Sequence, residues 1–263
     1  MNCNKAYQVP PWWKRVGSVW YRHVRVYNAN FFSNTITPFL EPLILLTALG
    51  IGLGSYLEDF EGMNYVLFLA SGLIVTTAMF TAAYECTFGT FIRLEFDKVY
   101  DGILGAPIST DDLIIGEILF AGTKGFFFAF AVLIVGWLTG IITYPLSIMA
   151  AGAGFLCGVM FAAISMFITS AVNNINHFNF YFTGLLSPMF FFSGVVFPID
   201  NLPAALRYFA EMLPLTHVVR ISRAFCVPGG LKIELFLDLL YIAVFILFFG
   251  YLAVKKLKRR LIY

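Results

Sequence analysis

From Gly125 to Ile199 the chain runs for 75 residues without an Asp, Glu, Lys or Arg. A bilayer crossing takes about 20 apolar residues, so this stretch holds about three crossings with minimal connections. The turns Thr143-Tyr144-Pro145 and Asn173-Asn174-Ile175-Asn176 divide it. The rest of the chain agrees: 60% of its 263 residues are hydrophobic and 12% are charged, against about 25% charged in soluble domains. An integral membrane protein is the class these values admit. The first 30 residues are basic and lack an unbroken apolar core, so they do not read as a secretory signal.

Hydropathy predicts six spans, at about 31–54, 63–88, 113–139, 145–172, 178–197 and 233–254. Three regions follow: a cytoplasmic amphipathic segment (1–30), a six-span unit (31–256) and a basic tail (257–263). Orientation comes from Lys and Arg. Lys5, Lys14, Arg15, Arg22 and Arg25 precede the first span, and Lys255, Lys256, Lys258, Arg259 and Arg260 follow the last. Arg93 and Lys98 lie between spans two and three; only Arg207, Arg220, Arg223 and Lys232 fall on the other side. Both termini are expected in the cytoplasm, and the acidic stretch "YLEDFEG" outside.

Between Pro10 and Asn28, Trp13, Val16, Trp20, Val24 and Tyr27 fall on one helical face and Lys14, Ser18, Arg22 and Arg25 on another. Such a helix lies in the membrane interface, or else packs on a neighbouring domain. The loop "RLEFDKVYDGILGAPISTDD" is the longest polar stretch on the cytoplasmic side. In it Glu95, Asp97, Lys98 and Asp101 alternate with Phe96, Val99, Tyr100, Ile103 and Leu104, predicting a short amphipathic helix able to dock a soluble partner; a solvated turn is the plainer reading. Ser109 with Asp112 has the spacing of a capping box opening the third span.

Glu41, Glu85, Glu117 and Lys124 are ionisable groups inside predicted spans. A charge at mid-bilayer costs about 2.5–3.5 kcal/mol on insertion scales, which makes each a functional candidate. Glu85 and Glu117 lie close enough to span ends to snorkel. Lys124 stands seven positions after Glu117, on the same helical face, where water could bridge the two. Glu41 sits beside Pro42 in a span that Pro38 and Pro42 are expected to kink.

After the fifth span, "SPMFFFSGVVFPIDNLPAALRYFAEML" breaks an apolar run at Phe197-Pro198. Two amphipathic pieces follow, Ala204–Leu213 and Leu215–Cys226, separated by Pro214 and too short to cross. They are either re-entrant helices or a loose outer loop; non-helical backbone at membrane depth survives only where protein or a wet cavity satisfies it. In the re-entrant reading Asp200 and Asn201 cap the first piece. No HExxH or GxSxG occurs, and Gly122-Thr123-Lys124 lacks the order of a phosphate-binding loop. Cys3, Cys86, Cys157 and Cys226 are scattered and read as apolar fillers. No nucleotide, metal or other cofactor is expected on this chain, and no nucleic acid partner.

These features, in this order, resemble the membrane subunits of type-2 ABC exporters, and among them the nodulation-factor permease (NodJ-like) group. The resemblance rests on "EPLILLTALGIGLG", "FLASGLIVTTAM" followed by Tyr84-Glu85, "GEILFAGTK", "LSPMFFFSGVVFPIDNLP" and "LPLTHVVRISR". It implies an all-α membrane fold with an N-terminal interfacial helix, six spans, a coupling helix after the second and two re-entrant helices before the sixth. The coupling helix would use Glu95, Phe96, Asp97, Lys98, Tyr100 and Asp101. An external gate would use Pro198, Asp200, Asn201, Pro203, Pro214, His217 and Arg220. Glu41, Glu85, Glu117 and Lys124 would be pathway or structural polar groups. A second copy of the chain and a separate ATPase subunit, which binds ATP and Mg, are the implied partners in a bacterial inner membrane. The implied cargo is an amphiphile such as a lipo-oligosaccharide, glycolipid or lipid-linked polysaccharide, for which aromatics such as Phe126, Phe127, Phe190 and Phe191 supply surface. A hydrophobic drug is the alternative. An ion-coupled carrier using Glu41 or Lys124 and an intramembrane enzyme are the readings from other classes.

Overall fold

The computed structural model describes residues 9–52 and 63–262, without the side chains at 33, 37–39, 41, 51 and 262. The expectations for the Glu41 side chain and for the acidic stretch 56–62 lie outside the described residues.

The described chain is helical almost throughout. Helix α1 covers Trp12–Ala29 and α2 covers Phe31–Leu45, running on into a π-helical turn at Leu46–Ile51. Helix α3 is Tyr65–Tyr84, continued by π turns at Glu85–Gly89 and Ile92–Phe96. Then come α4 (Val99–Leu104), α5 (Thr110–Leu138) and α6 (Ile148–Ala171). Three short pieces, α7 (Phe178–Tyr181), a π turn (Phe182–Leu186) and α8 (Ser187–Phe192), precede α9 (Ala204–Glu211), α10 (Pro214–Cys226) and α11 (Leu235–Ile262).

Among the described residues, 4 helical stretches are long and apolar enough to cross a membrane: Tyr65–Phe96, Thr110–Leu138, Pro145–Ala171 and Leu235–Leu261. The predicted fifth span is shorter than its sequence suggested. It stops at Phe192, because Ser193-Gly194 turns the chain with Gly194 at φ +76°. Residues 178–192 rise only about 22 Å at 1.5 Å each, short of a hydrocarbon core of about 30 Å.

Helix α3 is the hub. Phe68, Leu69, Ile74, Val75, Ala78, Met79 and Ala82 are all buried as it packs against α5, α6 and α10. Small residues set the closest crossing. A Cβ on Gly154 would stand 2.3 Å from that of Ala129, and one on Gly158 would stand 3.0 Å from the Cα of Gly122. With no hydrophobic drive between helices in lipid, such close backbone approach is what holds α5 to α6. Helix α11 is peripheral: it packs on α6 and α10, and leaves Leu237, Leu240, Val244, Leu247 and Phe248 exposed.

Helix α3 begins beside α10, and the π turns that follow it meet α1 at Glu117, so α10 and α1 mark opposite ends of the bundle. The last turn of α11 lies at the α1 end, where Arg260 Nη1 donates to the carbonyls of Thr169 and Val172, both at 2.7 Å. Arg260 thereby caps the C-terminus of α6, whose final carbonyls lack helical partners. Helix α1 and the last turn of α11 thus lie at one end of the bundle.

Candidate functional site

The capping box read from the sequence is present and fixes where α5 starts. Ser109 Oγ accepts from the Asp112 N–H at 3.2 Å, and Asp112 Oδ2 accepts from the Ser109 N–H at 2.9 Å. From that start Glu117 arrives two turns in and Lys124 two turns further, on the face turned toward α3 and α1. Helix α1 is pressed against this face at a glycine: a Cβ on Gly116 would stand 2.7 Å from Val19 Cβ. Arg15 pairs with Asp112 at 3.1 Å and Trp20 Nε1 donates to Thr123 Oγ1 at 3.1 Å. The stripe that α1 buries is Val16, Val19 and His23, while Trp12 and Trp13 stay exposed. The helix packs on the bundle by a face rotated from the one its tryptophans suggested.

A buried ionic network results. Glu117 is 1% exposed. Its Oε1 accepts from Arg93 Nε at 3.1 Å and stands 3.2 Å from His23 Nε2. Its Oε2 accepts from Thr90 Oγ1 at 2.8 Å and from the Tyr100 hydroxyl. The other Arg93 nitrogens reach on: Nη1 donates to Glu85 Oε1 at 2.8 Å. Lys124 Nζ donates to Glu85 Oε2 at 2.9 Å. Two carboxylates and two cations balance, which is the condition for burying charges at all. Sequence reasoning paired Glu117 with Lys124 through water. Instead the partners are crossed, because Arg93 reaches back from the π-helical end of α3 and takes both carboxylates. Glu85 does not snorkel either; its carboxylate is held by two cations.

Backbone irregularity makes this possible. Two π turns follow α3, and π-helical insertions gather at functional sites. They bring Glu85, Thr90 and Arg93 to one side. Lys98 then adopts φ +51°, the one non-glycine residue at positive φ among those described. This left-handed residue splits the single amphipathic helix expected over 95–104, and only Val99–Leu104 forms α4. Tyr100 turns inward; burial, then the Glu117 carboxylate, push its hydroxyl well above its ordinary value. Phe96, Asp97, Lys98 and Asp101 remain exposed. Glu95 is held between Arg260 at 2.8 Å and Lys98 at 3.7 Å.

Beside the network lies an apolar cavity of about 270 Å³. Pro42, Leu45, Leu73, Phe80 and Phe190 line it, with Thr76, Thr77 and Thr81, and Lys124 closes one end. Lys124 therefore belongs to both the network and the cavity wall.

At the opposite end a second polar cluster ties α10 to α11. His217 Nδ1 lies 2.6 Å from Asp238 Oδ1, and Arg220 Nη1 donates to the same oxygen at 2.9 Å. Arg220 Nη2 also donates to Glu211, at 2.7 and 2.8 Å. These carboxylates hold the Arg220 guanidinium charged above its already high ordinary value, although burial opposes them. Tyr241 stacks on His217 at 3.9 Å between ring centroids. On the inner side Arg223 covers the Phe68 ring at 3.7 Å and donates to the Gly194 carbonyl at 2.8 Å, fastening α10 to α3.

The remaining predicted gate residues lie near this cluster. Pro198 precedes a single 3₁₀ turn at Ile199–Asn201, Pro203 precedes α9 and Pro214 opens α10. Asp200 and Asn201 do not cap α9, whose first turn has no side-chain acceptor. Asp200 pairs with Arg207 instead, at 2.7 Å on an exposed surface. Helix α9 buries only Ala210 and leaves Leu206 and Phe209 exposed, whereas α10 buries most of its length.

Sequence reasoning missed His23, Arg93 and Asp238 as site residues. Arg93 stands eight positions after Glu85, on the same helical face, and Asp238 is a charge inside a predicted span; both signals were readable. His23 gave none, because only the packing of α1 on α5 brings it to Glu117. Among the described residues no His, Cys, Asp and Glu group has the makings of a metal site.

The chain matches the family model "ABC-2 type transporter" over residues 14–226. It is 31% identical over 247 residues, 93% of each chain, to "Nodulation protein J" of Sinorhizobium fredii. Identity is 30% to the protein of that name from Rhizobium meliloti, covering 78% of this chain and 79% of the relative. A more distant relative, at 19% identity over 79% of this chain and 81% of its own, is "Inner membrane transport permease YadH" of Escherichia coli. The chain belongs to the ABC-2 type transporter family, as a multi-pass membrane subunit of a transporter and not an enzyme.

Proposed function

We propose that the chain is the permease subunit of an ATP-driven exporter carrying an amphiphile outward across a bacterial inner membrane. In this reading α2 and the broken segment 178–197 complete six spans, both termini are cytoplasmic, and α9 and α10 are re-entrant helices on the outer side. Two copies form the pathway. A separate ATPase subunit, bearing ATP and Mg, docks on the exposed residues Phe96, Asp97, Lys98 and Asp101.

One observation carries the proposal. The Glu117–Arg93–Glu85–Lys124 network runs without a gap from the segment that presents those residues to the wall of the apolar cavity. A load on that segment is transmitted through short charge-assisted bonds, which are stiff and directional. The cavity, apolar with a polar end, suits the lipid portion of an amphiphile such as a lipo-oligosaccharide or glycolipid.

Reconstitution with the ATPase subunit tests it. Replacing Phe96 with Ala and both Asp97 and Asp101 with Lys should abolish stimulated ATP hydrolysis while leaving membrane insertion intact. Unchanged coupling in that triple variant would remove the docking assignment. Export of a fluorescent hydrophobic dye in preference to a labelled glycolipid would favour the drug reading, to which the apolar cavity lends support. Uptake driven by a proton gradient without the ATPase would replace the exporter by an ion-coupled carrier.

A further inference from the structure

At the α10 end, a cavity of about 600 Å³ opens between α9, α10 and the start of α11. Small-molecule sites occupy about 300–1,000 Å³. Its walls are polar, unlike those of the apolar cavity. Two ion pairs form its sides: Asp200 with Arg207 at 2.7 Å and Glu211 with Arg220 at 2.7 Å. Lys232 and Glu234 stand exposed at its rim, with no ion-pair partner among the described residues. At its base is Ser193, fully buried, whose hydroxyl has no hydrogen-bond partner among the described residues. A buried hydroxyl left unpaired costs free energy, and Ser193 is among the residues around the cavity.

We propose that this cavity binds a neutral polyhydroxyl group, a saccharide, with Ser193 at its floor. The inference rests on the exporter reading for its side of the membrane and names the polar part of the cargo. Charge balance selects the ligand. Each sugar hydroxyl donates one hydrogen bond and accepts up to two, so a vicinal diol matches a wall on which carboxylate and guanidinium alternate. The outward lone pairs of Asp200 and Glu211 accept from it while Arg207 and Arg220 donate. A phosphate would instead meet three carboxylates, Asp200, Glu211 and Glu234, while Arg207 and Arg220 are already paired and Arg223, the fourth cation of the lining, is turned to the Phe68 ring and the Gly194 carbonyl. Lys232 supplies a further donor at the rim.

Protection of an engineered thiol provides the test. Pro228→Cys places a thiol at the exposed edge of the cavity. The neighbouring Cys226 is 2% exposed and burial pushes its thiol up to about 12, so it stays silent. Intact cells carrying the full-length variant are labelled with a membrane-impermeant maleimide. The competitors are neutral trisaccharides of glucose, N-acetylglucosamine or mannose, and, separately, inorganic phosphate. At least one trisaccharide should slow labelling several-fold while phosphate does not. Adding Ser193→Leu should remove the protection, and adding Lys232→Gln, an exposed change with no folding burden, should weaken it. Protection by phosphate alone would make the cavity an anion site, and protection by none of the four would overturn the proposal. Failure to label from outside would refute the orientation instead. The same competition in inside-out vesicles then decides the saccharide question separately.

Discussion

The two ends of the bundle solve one problem in opposite ways. Each fastens a helix outside the four long apolar stretches, α1 at one end and α10 at the other, to one of those stretches through ionised side chains. At the α1 end Glu117 is fully enclosed, and donors from α1, the π turns and α4 all converge on it. At the α10 end, by contrast, Arg220 and Glu211 are each at least 40% exposed at the side chain and border an open polar cavity. Enclosure makes the first cluster costly to break and unsuited to ligand exchange; in the second Asp238 is buried, but Arg220 and Glu211 are open enough to trade partners.

If enclosure is the difference, removing a charge at the α1 end should be the most damaging change. Glu117→Leu strands Arg93 beside Glu85 with a surplus positive charge, and removing one partner of a buried pair costs about 3–5 kcal/mol. Loss of the folded monomer peak in detergent is the expected result. A variant that purifies with unchanged thermal stability would show that the network is not enclosed.

Tyr100→Phe removes only a hydroxyl, a bond to a charged acceptor contributing about 1.5–3 kcal/mol. It also carries a pH signature. The folded hydroxyl titrates above its ordinary value of about 10, so unfolded chains release this proton first. The stability it contributes is present below that value and lost as pH rises above it. Thermal melts from pH 8 to 11 should therefore fall less steeply for the Phe variant than for the parent.

Asp238→Asn tests the open end. Asp238 is itself buried, but asparagine keeps an acceptor for His217 and Arg220, and Arg220, 40% exposed at the side chain, retains Glu211, so a loss of about 1–3 kcal/mol is expected. A loss matching that of Glu117→Leu would erase the contrast between the ends. The smallest effect should come from Asp200→Ala, whose pair with Arg207 is more than half exposed on both sides. Such pairs contribute about 0–1 kcal/mol and are screened by salt. Its melting point should stay within a degree or two of the parent at 0.5 M salt, while sugar protection of the Pro228→Cys thiol declines.

The cap that starts α5 was legible from Ser109 and Asp112, as were four apolar stretches. Each depends on residues a few positions apart, so local spacing contains the information. The fifth span was read as longer than it is, because hydropathy does not register the left-handed turn at Gly194. The amphipathic helix over 95–104 was read as continuous for a similar reason: nothing in the composition of Lys98 announces its positive φ.

What the sequence determined by itself is the class of molecule and its few buried charges, since an ion in an apolar run is expensive wherever it points. Which charge pairs with which was decided by the tertiary structure alone. Glu117 and Lys124 share a helical face seven residues apart, yet each takes a partner from the end of α3, because π turns there lengthen the reach of Arg93 and Glu85. His23 joins them from nearly a hundred residues away, because the absence of a Cβ at Gly116 lets α1 settle against α5. Pairing across a hundred residues depends on the distance between backbones, and that distance is a property of the packed helices rather than of any local stretch.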